Sequence, residues 1–238
     1  MQSTKNFLIL LFSACIVSGI YGQNSEFKEV KTGDDVIENY ITANGGRENL
    51  EKIKSIKMTG NVEAMGKTIP ITVYTSHEYS YTNLDDPAFG FTFVADKKNK
   101  KGWQKAMGKV EDLPEDEFKK LEATFESGLW GHIIKKEKYN VNYELRGKDS
   151  VEGKPVYVID FTREGKVLYT TYFDVSNFNR LKQVKNKEEV YFDDFRPVDD
   201  FGIKMPYGMT QQALITVEKY EFNTEFDVSL LKKPETKQ

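Results

Sequence analysis

Between residues 139 and 207, short runs of β-branched and aromatic residues alternate with turn residues at the spacing of a β-meander. The runs span 141–145, 156–161, 167–173, 181–184 and 190–192. They are broken by Glu152-Gly153-Lys154-Pro155, Glu164-Gly165-Lys166, Ser176-Asn177-Phe178-Asn179 and Lys185-Asn186-Lys187. Such runs, closed by Gly, Asn and Pro, predict antiparallel hairpins, and no helix-length apolar period interrupts them. One large antiparallel sheet is the organising element.

Upstream the period differs. Behind Gly33-Asp34-Asp35, the residues Val36, Ile37, Tyr40 and Ile41 form one stripe of an amphipathic helix, with acidic residues at the end where the helix dipole favours them. Asn44-Gly45-Gly46 ends it, and a short helical turn over 47–52 carries Leu50. From Ser55 the period becomes two: Ile56, Met58, Val62 and Ala64 alternate with Lys57, Thr59, Asn61 and Glu63. Met65-Gly66-Lys67 then turns the chain into Ile69, Ile71 and Val73, a hairpin with one apolar and one wet face. Strands are expected at 79–81 and 89–95, a solvated basic tip at 96–102, and a short strand or connector at Trp103. Leu113-Pro114-Glu115-Asp116-Glu117 starts a second amphipathic helix with Pro in its first turn, and Phe118, Leu121 and Phe125 follow at i, i+3 and i+7. Final strand material comes from 212–217 with Tyr220 and Phe222. The expected fold class is mainly β with helices (α+β).

The first residues read as targeting rather than fold. Lys5 precedes an apolar run over 7–21, and the chain turns polar at Gln23, the layout of a secretory signal. The run is shorter than the ~20 residues of a membrane span. Cleavage after Gly22 leaves 216 of 238 residues. The expected division is a signal over 1–22, a flexible segment over 23–33, one domain over 34–233 and a disordered tail over 234–238. Cys15, the one cysteine, lies inside the signal, so the mature chain has no thiol chemistry. Leu11-Phe12-Ser13-Ala14-Cys15 is close to a lipobox, with its Leu one place too far upstream. Cys15 is thus read as part of the apolar run, with lipid anchoring as the alternative. The formal net charge is −3, and loss of Lys5 takes it to −4. Basic and acidic residues are interleaved, which argues against nucleic acid as a partner.

Candidate chemistry is sparse. His77 and His132 are the only histidines and stand in unrelated segments, too few for a histidine-based triad or a zinc site. No phosphate-cradling or dinucleotide motif follows a strand. Neighbouring residues of a strand point to opposite faces, so Asp193-Asp194 cannot easily share one ion; it and Asp199-Asp200 are read as turn and solvent residues. No enzymatic activity, metal or cofactor is expected.

Several segments resemble one family in the same order. They are Asn44-Gly45-Gly46 before Leu50 and Ile53-Lys54-Ser55-Ile56, Met58-x-Gly60, Gly102-Trp103, and Leu113-Pro114 with its acidic helix. Gly147-Lys148-Asp149-x-Val151-Glu152-Gly153, Tyr191-Phe192-Asp193-Asp194-Phe195-Arg196-Pro197-Val198 and Gly202-Ile203-Lys204-Met205-Pro206 complete the set. The pattern resembles the outer-membrane lipoprotein-sorting proteins, relatives of the LolA and LolB lipoprotein carriers of Gram-negative bacteria. The resemblance implies a half-open antiparallel β-barrel whose apolar concave face is covered by amphipathic helices. It also implies a periplasmic carrier that shelters acyl chains of lipoproteins or other lipids between membrane-bound donor and acceptor proteins. The alternative on the same fold is a periplasmic sensor or protein-interaction module. The Asp199-Asp200-Phe201 link is longer than the family pattern, and no arginine is matched to the one that ties sheet to lid in proteobacterial carriers.

Alternation selects the residues facing such a cavity: Met58, Val62, Ile71, Val73, Phe91, Phe93, Tyr157, Ile159, Phe161, Tyr169 and Phe173. Val156 and Val158 share a face with Asp160, so the other side of that strand is taken as the apolar one. The lid residues are Val36, Ile37 and Tyr40 on the first helix and Phe118, Leu121 and Phe125 on the second.

Overall fold

The computed structural model describes residues 27–64, 66–88, 90–198 and 201–235. The expected signal with Cys15 and the expected cleavage point near Gly22 lie outside the described residues, as do Met65, Phe89, the Asp199-Asp200 pair and the end of the tail.

The first elements among the described residues are helices α1 (Gly33–Ala43) and α2 (Arg47–Lys52). Six strands follow: β1 (Ser55–Ala64), β2 (Lys67–Ser76), β3 (Tyr79–Leu84), β4 (Phe91–Asp96), β5 (Lys101–Ala106) and β6 (Lys109–Asp112). Helix α3 (Glu115–Ser127), a 3-10 turn (Gly128–Trp130) and the short helices α4 (Gly131–Ile134) and α5 (Lys136–Tyr139) separate these from seven more strands. Those are β7 (Asn142–Val151), β8 (Lys154–Arg163), β9 (Lys166–Asp174), β10 (Arg180–Lys185), β11 (Glu188–Val198), β12 (Ile203–Thr210) and β13 (Leu214–Phe222).

All thirteen strands form one open antiparallel sheet in the order β6-β5-β4-β3-β2-β1-β13-β12-β11-β10-β9-β8-β7. The fold is therefore an open, barrel-like α+β structure. Its two meanders are joined by pairing the first strand with the last, in a register that brings Ile56 opposite Phe222 and Val62 opposite Ile215. The register shifts between Thr59 and Gly60, and a Cβ on Gly60 would lie 2.3 Å from the Thr216 carbonyl oxygen. Glycine in Met58-x-Gly60 is what allows the two meanders to approach.

Helix α1 is capped by Thr32 and Asp35, which bond each other's backbone amides. Residues 27–32 run beside it: Lys28 N–H donates to Asn39 Oδ1 (2.8 Å) and Asn39 Nδ2 donates to the Lys28 carbonyl (2.9 Å). Val36, Ile37, Tyr40 and Ile41 bury the other face against the sheet. The C-terminal end of α1 is fixed by contact rather than by a cap alone. Gly45, at φ +83°, sits where a Cβ would be 2.3 Å from the Phe201 carbonyl oxygen, Asn49 Nδ2 donates to that oxygen (3.2 Å), and the Lys204 amide donates to Asn44 Oδ1 (3.3 Å). Asn44-Gly45-Gly46 and Gly202-Ile203-Lys204 are thus two halves of one joint.

The two faces of the sheet differ. On the helix-covered face, α1 packs with Met58, Val62, Ile71, Ile159, Phe161, Tyr169, Phe173, Ile203 and Val217 in one core. Val151, Val156, Val158 and Leu181 make a smaller cluster with Tyr172, Tyr191 and Phe195. A third cluster joins Ala95 and Leu113 to Phe118, with Phe93 and Phe125 against it.

Some local expectations shift. Residues 128–139 are helical turns rather than a direct link to the meander, because four-residue helices are too short to show a 3.6-residue period. Trp103 is a buried strand residue in a β5–β6 hairpin turned by Met107-Gly108. Asp96 and Lys101 belong to paired strands, which narrows the basic tip. Pro114 is the N-cap of α3 rather than part of its first turn.

Candidate ligand-binding cleft

The site is built around Tyr40. From α1 its ring meets Phe173 edge-on (5.3 Å), and its hydroxyl accepts a hydrogen bond from Trp130 Nε1 (2.8 Å). Leu129 and Trp130 both have left-handed backbones, at φ 50° and 56°, an uncommon conformation for bulky residues. It sends Leu129 into the core while Trp130 reaches Tyr40.

Between these helical pieces and the sheet lies a cleft of about 370 Å³, at the lower end of the ~300–1,000 Å³ of small-molecule sites. Ile56, Met58 and Val73 line it from β1 and β2, Phe192 from β11, and Met205, Pro206 and Met209 from β12; Tyr40, Leu129 and Trp130 belong to the covering helices. Its walls carry three methionines, whose flexible thioethers fit irregular apolar partners, and no Asp or Glu. A smaller cavity of about 50 Å³ shares Tyr40, Trp130, Arg180 and Gln183 with it and is bounded by Phe161, Tyr169 and Phe173.

Thr75 of β2, Thr124 and Ser127 of α3 and Lys204 of β12 are polar residues of the cleft lining, joined by Arg180 and Gln183 of β10. The pairing of β10 with β9 sets Arg180 opposite Phe173 and Gln183 opposite Thr171, with a register shift between Arg180 and Lys182. Such a bulge places two residues against one, so Arg180 and Gln183, three apart, both line the cleft while Leu181 packs in the cluster with Val156 and Val158. Arg180 Nη1 donates to Gln183 Oε1 (3.3 Å), and its guanidinium lies 4.3 Å from the centre of the Phe192 ring. A strict period of two groups Arg180 with Lys182 instead and hides this pair; the signal that could have found it is an arginine directly after the Asn177-Phe178-Asn179 turn.

The residues selected from the sequence divide by environment. Met58, Val73 and Tyr40 line the cleft. Phe161, Tyr169 and Phe173 wall the small cavity. Val62, Ile71 and Ile159 are buried in the main core, as are Val36 and Ile37. Tyr157 is half-buried and stacks on Phe178. Phe93, Phe118 and Phe125 belong to the separate cluster at α3, while Phe91 on β4 and Leu121 on α3 are half-buried and not part of it. Sequence reasoning missed Arg180, Gln183, Leu129, Trp130, Met205 and Met209.

Other hollows have different walls. One of about 410 Å³ at the outer side of α1 is lined by Asp34, Glu38, Arg47 and Lys136, which pair with one another. A shallow one of about 630 Å³ lies at the rim by Phe226.

Neither histidine faces the other. His77 Nε2 lies 3.0 Å from Lys135 Nζ. His132 is buried, with Nδ1 3.0 Å from the Tyr169 hydroxyl and Nε2 3.3 Å from Glu126 Oε2, which also accepts from Arg163 Nη2 (2.5 Å). Burial pushes the His132 imidazole below its ordinary range and the Tyr169 phenol up, so both are neutral at pH 7. A neutral imidazole then donates from Nε2 and accepts at Nδ1. Because the unfolded chain takes up the proton first, this contribution to stability is complete above about pH 6.5 and is lost as pH falls through the lower folded value. We expect Tm to decline from about pH 6.5 downward with a shallower slope in His132→Asn. His77, also shifted down by burial and by Lys135, supplies part of the slope, and His77→Asn measures that part. An unchanged slope in His132→Asn would refute the assignment. Among the described residues no group of three His, Cys, Asp or Glu side chains is placed to hold a metal ion.

The arrangement defines a class: an open antiparallel sheet, helices packed over one face, and an apolar cleft between them. No family model matches the chain, and no curated protein matches it. Among solved structures it is similar to a DUF1329 family protein from Desulfovibrio piger, at 14% identity and a TM-score of 0.50, covering 85% of this chain and 100% of that one. It is also similar to a LolA superfamily protein from Nitrosomonas europaea (11% identity, TM-score 0.49, 86% and 99% covered). A putative outer membrane lipoprotein-sorting protein domain from Vibrio parahaemolyticus gives 12% identity, a TM-score of 0.48, and 83% and 94% covered. The likeness to the D. piger protein shows the fold. The lipoprotein-sorting and LolA proteins that the sequence motifs resemble are thus among the structural neighbours. No helix among the described residues is long and apolar enough to cross a membrane.

Proposed function

We propose that the protein is an exported carrier that shelters an acyl chain, of a lipoprotein or another lipid, in the cleft between its helices and its sheet. The observation that carries this reading is the cleft itself: about 370 Å³, apolar, methionine-lined, and set between a helical cover and a sheet. Each methylene removed from water contributes ~0.8 kcal/mol, so even a partly inserted chain binds with useful affinity. The order of the family-like motifs along the chain supports transfer to the outer membrane, from a membrane-bound donor to an acceptor, without catalysis. The proposed route is export with cleavage near Gly22, which leaves the domain over 34–233 in the periplasm.

The test is mass spectrometry of organic extracts from gently purified protein, together with titration of a fluorescent acyl probe. Co-purified lipid and a probe that it displaces are the expected results. A protein free of lipid that ignores the probe and instead forms a stable protein complex overturns the carrier reading in favour of an interaction module. N-terminal sequencing tests export: a start near Gln23 is expected, and a start at an acylated Cys15 means a lipid-anchored form.

A further inference from the structure

Four of the five arginines have a carboxylate oxygen at 3.7 Å or closer: Arg47 with Glu38, Arg146 with Asp160, Arg163 with Glu126 and Arg196 with Asp194. Arg180 is the exception among the described residues. Its partners are the neutral Gln183 amide and the face of Phe192, and the cleft it lines has no acidic wall. Its charge is felt by the buried hydroxyls of Tyr40, Tyr169 and Tyr220, which burial pushes up and Arg180 draws back. A cation held against apolar walls without a counter-ion is costly. The guanidinium fork matches a carboxylate in two parallel hydrogen bonds.

We propose that the missing anion arrives with the ligand: the cleft takes a single-chain fatty acid, its carboxylate on Arg180 and its chain over Met58, Met205 and Met209. This rests on the carrier reading and narrows its ligand. Lys204 also lines the cleft, but only Arg180 brings a guanidinium fork, which suits one carboxylate, and a cleft of about 370 Å³ suits one chain rather than two or three. The bulge in β10 is then functional, since it sets the Gln183 amide beside the guanidinium at the carboxylate position.

The experiment compares myristate, tetradecanol and tetradecyl phosphate as competitors for a fluorescent acyl probe on the full chain. On the native protein myristate should outcompete tetradecanol about tenfold or more, as a charge-assisted hydrogen bond implies. In Arg180→Met the preference should collapse towards one while tetradecanol binding persists, which also shows that the variant is folded; Arg180→Lys should keep part of the preference. Equal binding of acid and alcohol by the native protein overturns the proposal, as does a preference that survives in Arg180→Met, and either result leaves the carrier reading standing. A preference for tetradecyl phosphate over myristate overturns the carboxylate assignment. If no competitor displaces the probe and the probe itself fails to bind, the carrier reading falls together with the inference.

Discussion

Phe161→Ala should lower the unfolding free energy by about 3–5 kcal/mol, the range for a large aromatic deleted from a packed core. Phe161 is 1% exposed and stands in a cross-strand row, opposite Tyr143 of β7 on one side and Tyr169 of β9 on the other. Its ring meets Tyr143 edge-on at 5.1 Å and stacks on Tyr169 at 4.6 Å. Aromatic pairs add about 0.5–1.5 kcal/mol beyond their buried area, so the loss falls at the upper part of the range. The adjoining cavity is only about 50 Å³, too little to suggest that the neighbours are already loose. Met209→Ala is the contrast: its side chain is half-buried at the cleft, so about 1 kcal/mol or less is expected, with a larger effect on probe binding than on stability. Urea denaturation of both variants decides the matter. If Phe161→Ala is as mild as Met209→Ala, the sheet around β7 to β9 is not packed core and the ligand space extends through it.

That contrast also marks what the sequence could reveal. The face of β8 was legible because Asp160 must avoid the apolar side, which assigns Tyr157, Ile159 and Phe161 to the helices; in the structure Asp160 instead accepts from Thr170 Oγ1 (2.6 Å) and faces Arg146. Helix α1 was legible because its stripe, cap and glycine stop agree. The closure of β1 onto β13 was not, since pairing between residues 55 and 222 leaves no local trace and depends on one glycine at a bulge. Nor was the split between solid core and open cleft: alternation reports which face a residue takes, not whether anything sits above it. The cleft opens where the 128–130 turn bends through left-handed backbone, and a bulge in β10 sets the Gln183 amide beside Arg180 on its wall. Both features break the periodicities from which secondary structure is read.

Replacing Phe118 and Phe125 together with alanine should raise acyl-probe affinity about tenfold or more while the far-ultraviolet dichroism of the sheet stays native. Helix α3 is held differently from α1. Its apolar contacts form the separate cluster of Phe118 and Phe125 (rings 6.1 Å apart) with Ala95, Leu113 and Phe93, whereas α1 lies in the main core. Its other ties are polar or ionic: Glu126 to Arg163 and His132, Thr124 to Lys185, and the Lys97 ammonium over the Phe125 ring. Thr124 and Ser127 line the cleft, so displacement of α3 widens the ligand space directly. A buried side chain of this kind contributes about 1.5–3 kcal/mol, comparable to two to four methylenes of a bound chain at ~0.8 kcal/mol each. A long chain can therefore compete with the closed packing, and the fraction of open molecules scales the apparent affinity. Each ~1.4 kcal/mol removed from the closed state raises that fraction about tenfold while closed molecules predominate. Faster proteolysis within 115–127 should accompany the gain in affinity. If probe binding falls instead, Phe118 and Phe125 are walls of the site rather than the hold on its cover, and α3 is a fixed part of the barrel.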